Sequence, residues 1–436
     1  MRAALVLGLG VSGRSLVSTL QQRGWRVDVV DDRPTDSTRE FAAGAGVVLH
    51  EAPNPAQLAE LAAKSELVVV SPGVPPRHPV FRLPGVEPIS EIELGSRWVT
   101  IPMVAVTGTN GKTTVVTMVA AMLEASHRRS LTAGNIGLPL VEAAGQEADV
   151  LVVEVSSFQL ALSYSFHPSV AVWLNFAPDH LDWHPDLDHY AASKARIWAR
   201  QGSGDTVVLN ATDRIVMAAA SGVPAGVRQV TFGRPDSDYR CDSGYLVGPD
   251  GPIVVVSEMP RSLPHDVENA LAATAAAVSA GADLDACRTV LRSFGALPHR
   301  VEFVADIGGV GFYDDSKATT PASVLAALAG FDSVVLLAGG QNKGLDLGAL
   351  RAGADRLRAV VAIGDAAAEV EAALGDLAPV SRATSMAAAV DSAAASARPG
   401  DVVLLSPGCT SFDWYRSYAE RGDDFARCVK QLGERR

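Results

Sequence analysis

The residues best suited to chemistry in this 436-residue chain form a loop, Val106 to Thr114, that reads V-T-G-T-N-G-K-T-T. Such a run leaves an apolar strand, turns on two glycines and enters a helix. Unshielded backbone N–H groups then face an anion at the positive end of the helix dipole. Lys112 adds a mobile positive charge, and the Thr113 hydroxyl is placed to ligate a phosphate-bound magnesium. A nucleoside triphosphate is the ligand this combination predicts. Val106 stands where the common P-loop pattern has its first glycine, so this is a shortened G-x-x-G-K-[ST] loop.

Three further residues lie downstream. Glu154 closes the apolar run Val150–Val155 and precedes S-S-F-Q-L. A carboxylate at the C-terminal end of a parallel strand is placed for a metal or ligand, with an ordinary strand-end acid as the plain alternative. His180 follows the strand Val170–Asn175 through F-A-P-D. The neighbouring Asp182, His184, Asp186 and Asp188 are irregularly spaced and read as a polar loop. If Asp188 caps a helix, then Tyr190, Lys194, Ile197 and Trp198 share one face, with Arg196 and Arg200 off it. A lysine on that face either snorkels or has its charge altered by its surroundings.

A second phosphate-type signal opens the chain, where Gly8 to Gly13 reads G-L-G-V-S-G after a strand and before a helix. Asp31 ends the next strand, where a ribose-binding acid would sit. By itself this fits a nicotinamide-dependent dehydrogenase, a nucleotide site without redox chemistry, or a tight structural turn. The phosphate loop, acids and amines further along weigh against hydride transfer. Ser71-Pro72-Gly73 ends another strand and borders the same predicted crevice.

These residues need a scaffold of short strands, glycine-bearing turns and Ala-rich helices, and that alternation predicts α/β domains with largely parallel sheets. Strands are expected at residues 3–9, 27–31, 67–71, 103–107, 150–155, 170–175, 206–210, 334–338, 359–363 and 401–406. Several are unbroken β-branched or leucine runs, as in strands buried on both faces. The alanine-rich segment Leu271–Ala280 predicts close helix packing. Interruptions at Pro84–Pro102 and near Ala296–Arg300 place domains at 1–97, 98–297 and 298–436.

The chain is long enough for two or three such cores. Its 37 basic and 49 acidic residues give a net charge of −12. They are interspersed, which excludes the concentrated basic surface of a nucleic-acid binder. Cys241, Cys287, Cys409 and Cys428 are far apart and read as reduced thiols. The opening apolar run is cut at Gly8, too early for a signal peptide, and no run reaches the length of a membrane span. The expectation is a soluble cytoplasmic protein, without nucleic-acid or membrane partners.

Taken together, G-T-N-G-K-T-T, G-N-I-G at 134–137, E-V-S-S-F-Q-L at 154–160, D-H-L-D at 179–182 and A-S-K-A-R-I at 192–197 resemble the Mur ligases. So do P-H-R at 298–300, D-D-S-K-A-T at 314–319, G-G-Q-N-K-G at 339–344 and S-P-G-C-T-S-F-D from Ser406. The resemblance covers essentially the whole chain, and S-S-F-Q-L and D-S-K-A-T look most like the D-glutamate-adding members. It implies an N-terminal Rossmann-like UDP-binding domain, a central P-loop ATPase-like domain and a C-terminal Rossmann-like domain that binds the amino acid. Gly10, Val11, Ser12, Asp32, Arg33 and Ser71 match positions that hold UDP. Gly108, Thr109, Asn110, Gly111, Lys112, Thr113 and Thr114 match the ATP loop, with Asn269 and Arg300 toward adenine and Asp315 toward ribose. Thr113, Glu154, His180 and Lys194 match the environment of two magnesium ions, Lys194 being a lysine that family members carbamylate. Lys317, Thr319, Lys343, Ser411 and Tyr418 match the D-glutamate site.

The implied reaction is ATP-dependent amide synthesis on UDP-N-acetylmuramoyl-L-alanine through an acyl phosphate, in peptidoglycan precursor synthesis, by a monomer. Asn135 suits substrate orientation near the γ-phosphate, and His180 is a candidate acceptor for the amine proton. The alternatives are another amino-acid-adding ligase of this superfamily and a silent nucleotide-binding paralogue. The sequence departs from the family pattern at Trp183, where a basic residue is usual. It departs again at Asp266, where Asn is usual, with Leu263-Pro264 before it, and at Tyr418, where any aromatic is expected.

Overall fold

The computed structural model describes residues 2–435. They divide into two compact units, one of residues 2–176, 183–255 and 269–292, the other of 177–182, 256–268 and 293–435.

The first unit holds three sheets. Strands β1 (Ala3–Leu7), β2 (Arg26–Asp31), β3 (Val48–Glu51), β4 (Leu67–Val70) and β5 (Ile89–Ser90) lie in the order β3-β2-β1-β4-β5. All of their pairings are parallel. The order reverses between β1 and β4, and such a switch point opens a crevice beyond the strands' carboxyl ends. The second sheet contains β6 (Met103–Thr107), β7 (Ser130–Gly134), β8 (Val150–Glu154), β9 (Val170–Trp173), β10 (Thr206–Asn210) and β11 (Arg228–Phe232). Its order is β11-β10-β9-β6-β8-β7, again parallel throughout. The central strands β6, β8 and β9 are buried along their whole length, as their unbroken apolar runs require. A small antiparallel sheet, β12 (Arg240–Asp242), β13 (Tyr245–Gly248) and β14 (Gly251–Val255), completes the unit.

A buried carboxylate joins the first two sheets' surroundings. Glu91 begins the helix Glu91–Ser96, is 0% exposed, and accepts the Val141 N–H at 2.8 Å. It thereby caps the helix Leu140–Ala143, whose own N-cap, Pro139, has no capping side chain. Its Oε2 has no hydrogen-bond partner within the protein. Burial pushes this carboxyl up to about 7.

The second unit is built on β15 (Glu302–Ile307), β16 (Val310–Asp314), β17 (Val334–Gly339), β18 (Leu357–Ile363), β19 (Val380–Arg382) and β20 (Val402–Gly408). The order is β15-β16-β20-β17-β18-β19, with β15 antiparallel to β16 and the rest parallel. Apolar clusters cover both faces, one including Phe312, Val361 and Phe425, the other Val324, Leu336 and Leu404. The observed folds are the expected α/β architecture with mostly parallel sheets.

Candidate active site

The phosphate loop leaves β6 and enters the helix Lys112–Ala125, whose N-cap Gly111 has φ 83° and no side-chain cap. The N–H groups of the first turn therefore have no capping oxygen from their own N-cap, the condition for holding an anion. Only glycine fits position 111, because a Cβ there would stand 2.5 Å from Asn269 Oδ1 at a left-handed φ. Asn269 is thus brought against the loop. Asn175, just past β9, clamps it from the other side. Its Oδ1 accepts from Asn110 N at 2.8 Å, its Nδ2 donates to Asn110 O at 3.1 Å, and its carbonyl accepts from Thr109 N at 3.1 Å.

Strand ends deliver the polar groups. Glu154, at the end of β8 and 2% exposed, accepts from Thr113 Oγ1 and from Asn135 Nδ2, each at 2.8 Å. A hydroxyl and a carboxylate in contact beside a phosphate loop form the oxygen donor set that magnesium prefers, so these residues fit that ion. Lys112 Nζ donates to Gly108 O and Thr109 O, each at 2.9 Å. Lys194 Nζ donates to the same Gly108 carbonyl at 2.8 Å and lies 4.7 Å from the Tyr190 ring centroid. Tyr190 OH in turn is 3.2 Å from Thr109 Oγ1.

The helix that carries Lys194 spans Leu187–Ala195, and its cap is Asp186, which accepts from His189 N at 2.7 Å. The expected cap, Asp188, lies instead in the first turn, so the start is two residues earlier. The shared face is as expected: Tyr190, Lys194, Ile197 and Trp198 are all buried. His184 is not a solvated loop residue. It is 0% exposed, with Nε2 2.9 Å from Ser157 Oγ and Nδ1 2.8 Å from His189 Nδ1. Trp183 joins the same cluster, edge-on to His184 and tilted against Phe158.

At the first switch point a cavity of about 950 Å³ is lined by Gly10, Val11, Ser12, Asp32, Arg33 and Ser71, all six predicted positions. Ser71 Oγ donates to Gly8 O at 2.9 Å, tying the glycine turn to β4's exit.

His180 belongs to the other unit, at φ 57°, with its N–H donating to Asp179 Oδ1 at 2.8 Å. In that unit Lys317 Nζ lies 3.8 Å from the Tyr418 ring centroid. Asp315 is buried, accepting from Val301 N at 3.2 Å and Ser406 Oγ at 2.8 Å, and burial raises its carboxyl to about 7. Arg300 accepts at its carbonyl from Arg261 Nη1 at 2.5 Å. Asp266, where the family pattern has Asn, pairs with Arg261 at 3.2 Å and accepts from Leu263 N at 3.2 Å. Ser411 is buried, Thr319 half-buried and Lys343 exposed.

Three residues were not singled out from sequence. Asn175 reads in the sequence only as a strand end. His78 lies on the cavity wall and follows a proline-rich stretch that reads as loop. Arg421, 1% exposed, donates to Ser316 O at 2.8 Å, Ser316 Oγ at 2.9 Å and Cys409 O at 3.1 Å. Burial lowers its guanidinium to about 10. It sits in an amphipathic helix, where no local pattern sets it apart.

A doubly wound α/β fold with an uncapped glycine loop, a strand-end carboxylate and a separate switch-point cavity defines a phosphate-binding nucleotide enzyme. Family models match the chain three times: the Mur ligase MurD-like N-terminal domain over residues 2–85, the Mur ligase middle domain over 106–277 and the Mur ligase glutamate ligase domain over 299–409. The chain belongs to the Mur ligase family. It is 41% identical to the UDP-N-acetylmuramoylalanine–D-glutamate ligase of Desulfosudis oleivorans, over 99% of this chain and 97% of the relative. It is 45% identical to the protein of that name from Frankia casuarinae, over 98% and 93%. Among solved structures, a pseudomurein peptide ligase type C from Methanothermus fervidus shares the fold at TM-score 0.63 and 19% identity, over 99% of this chain and 100% of that one.

Proposed function

We propose that this protein is an ATP-dependent ligase that joins D-glutamate to UDP-N-acetylmuramoyl-L-alanine, in the cytoplasm, as a monomer. The observation that carries the reading is the contact of Thr113 and Asn135 with one carboxylate, Glu154, beside the uncapped phosphate loop. Domains at 1–97, 98–297 and 298–436 would hold the UDP-sugar, ATP and D-glutamate in turn.

A carboxylate is a poor acyl donor, so the terminal L-alanine carboxylate attacks the γ-phosphorus of ATP, giving an acyl phosphate and ADP. The neutral amine of D-glutamate then attacks the acyl carbon, the amide bond forms and inorganic phosphate leaves. Gly108 to Thr114 cradle the phosphates, and Lys112 offsets charge developing on the transferred group. Thr113, Glu154, His180 and a carbamylated Lys194 would hold magnesium, which would supply Lewis-acid stabilisation of phosphoryl oxygens. Asn135 orients the acceptor carboxylate, and His180 takes the amine proton. Asn269, Arg300 and Asp315 face the nucleoside of ATP; Lys317, Thr319, Lys343, Ser411 and Tyr418 hold the amino acid. Gly10, Val11, Ser12, Asp32, Arg33 and Ser71 hold the UDP. Carbamylation adds carbon dioxide to the neutral Lys194 amine and releases a proton, turning a cation into an anionic oxygen ligand.

The test is ADP release, measured with the UDP-sugar substrate against a panel of amino acids. Release is expected only when UDP-N-acetylmuramoyl-L-alanine and D-glutamate are both present. Equal rates with other amino acids would reassign the branch of the family. ATP and UDP binding without turnover would mark a silent paralogue.

A further inference from the structure

Within the wall of the switch-point cavity, Asp31, Asp32 and His78 form a polar group of their own. Asp31 and Asp32 divide their work. The Asp31 carboxylate is engaged by backbone, accepting from Leu9 N at 3.0 Å and Arg33 N at 2.9 Å. Asp32 lines the cavity with its side chain 47% exposed, and its Oδ2 lies 3.3 Å from His78 Nε2.

His78 is itself fixed. Its side chain is 7% exposed, and it caps the short turn Pro79–Arg82 by accepting the Val80 N–H on Nδ1 at 3.2 Å. Pro79 has no N–H, so Val80 offers the first donor of that turn. An accepting Nδ1 cannot carry the proton, so the neutral ring holds it on Nε2, toward Asp32. The chain thus presents Nε2–H to one oxygen of an acid at the cavity.

The geometry points to His78 as a positioning residue for the nucleoside end of the substrate. Fixed by Val80, its ring holds one oxygen of Asp32 so that the other accepts from an N–H or O–H of the nucleoside. This rests on reading the cavity as the UDP site.

The experiment uses the full-length protein, with UDP as the calorimetric probe and steady-state kinetics beside it. His78→Asn keeps an acceptor for Val80 N–H, since Asn is a preferred cap, yet is too short to reach Asp32. The Kd for UDP and the KM for the UDP-sugar are expected to rise about tenfold, while the KM for ATP and for D-glutamate holds. His78→Gln, which carries a donor at greater reach, recovers part of that affinity. In an Asp32→Asn background His78→Asn adds nothing further, because the two residues act through one contact. Wild-type UDP affinity in His78→Asn, or full additivity with Asp32→Asn, would overturn the assignment. Failure of the wild-type protein to bind UDP would instead remove the UDP reading of the cavity, and this inference with it.

Discussion

Replacing Glu91 by glutamine should make the protein more stable at pH 8 and leave it nearly unchanged at pH 4.5. The carboxyl is fully buried, spends one oxygen on Val141 N–H and leaves the other without a protein partner. Burial raises it from the ordinary 4.5 to about 7. The folded state therefore binds this proton more tightly than the unfolded state. Its contribution falls as pH rises from about 4.5 through about 7 and is level above that. At about 1.4 kcal/mol per pKa unit, the loss across that window is roughly 3 kcal/mol. Glutamine keeps the acceptor for Val141 and removes the titration. Urea unfolding of both proteins at several pH values reads the difference, with Asp315, raised to about 7 by its own burial, cancelling between them. Parallel curves for wild type and Glu91→Gln across pH 4.5 to 8 would refute the argument that an ionised Glu91 is what costs stability.

Lys194→Ala should cut synthesis by about 100-fold or more, the scale of losing one charged group that acts on the transition state, while UDP binding survives. A carbamate signal from labelled bicarbonate, present in wild type and absent in the variant, checks the modification. Gly422→Ala should destabilise the second unit by about 1–3 kcal/mol, as overpacking does. A Cβ there would overlap His299 Nδ1 and Asp314 Oδ2, themselves 2.7 Å apart; thermal melting shows the loss, and an unchanged Tm would contradict it.

The buried centre of the fold is legible because β6, β8, β9 and β17 carry unbroken apolar runs, polar only at the closing Thr107 of β6 and Glu154 of β8. The edge strands are not. β3 and β19 are short, exposed at their ends and mixed in composition, so tertiary pairing decides them. The same holds for β12 to β14, whose small sheet forms by hairpin pairing. At the site, Lys112, Thr113 and Glu154 announce themselves by motif and strand end. Asn175 and His78 act through contacts across 65 and 46 residues of chain respectively. Sequence alone does not separate the Asp186 cap from Asp188, because both acids precede the same apolar face and only the backbone turn distinguishes them.

The Gly108 carbonyl is the meeting point of two ammonium groups, those of Lys112 and Lys194. A peptide oxygen carries no formal charge, so it holds both ammonium groups in place without cancelling their charge. An arriving triphosphate therefore meets a positive site and competes with a peptide oxygen for Lys112. Affinity then reports the difference between two sets of contacts, and a mutation that weakens the internal set would tighten nucleotide binding while loosening the resting loop. Turning Lys194 into an anion would remove one of the two internal contacts, so a chemical change on one side chain would set the strength of the exchange on another.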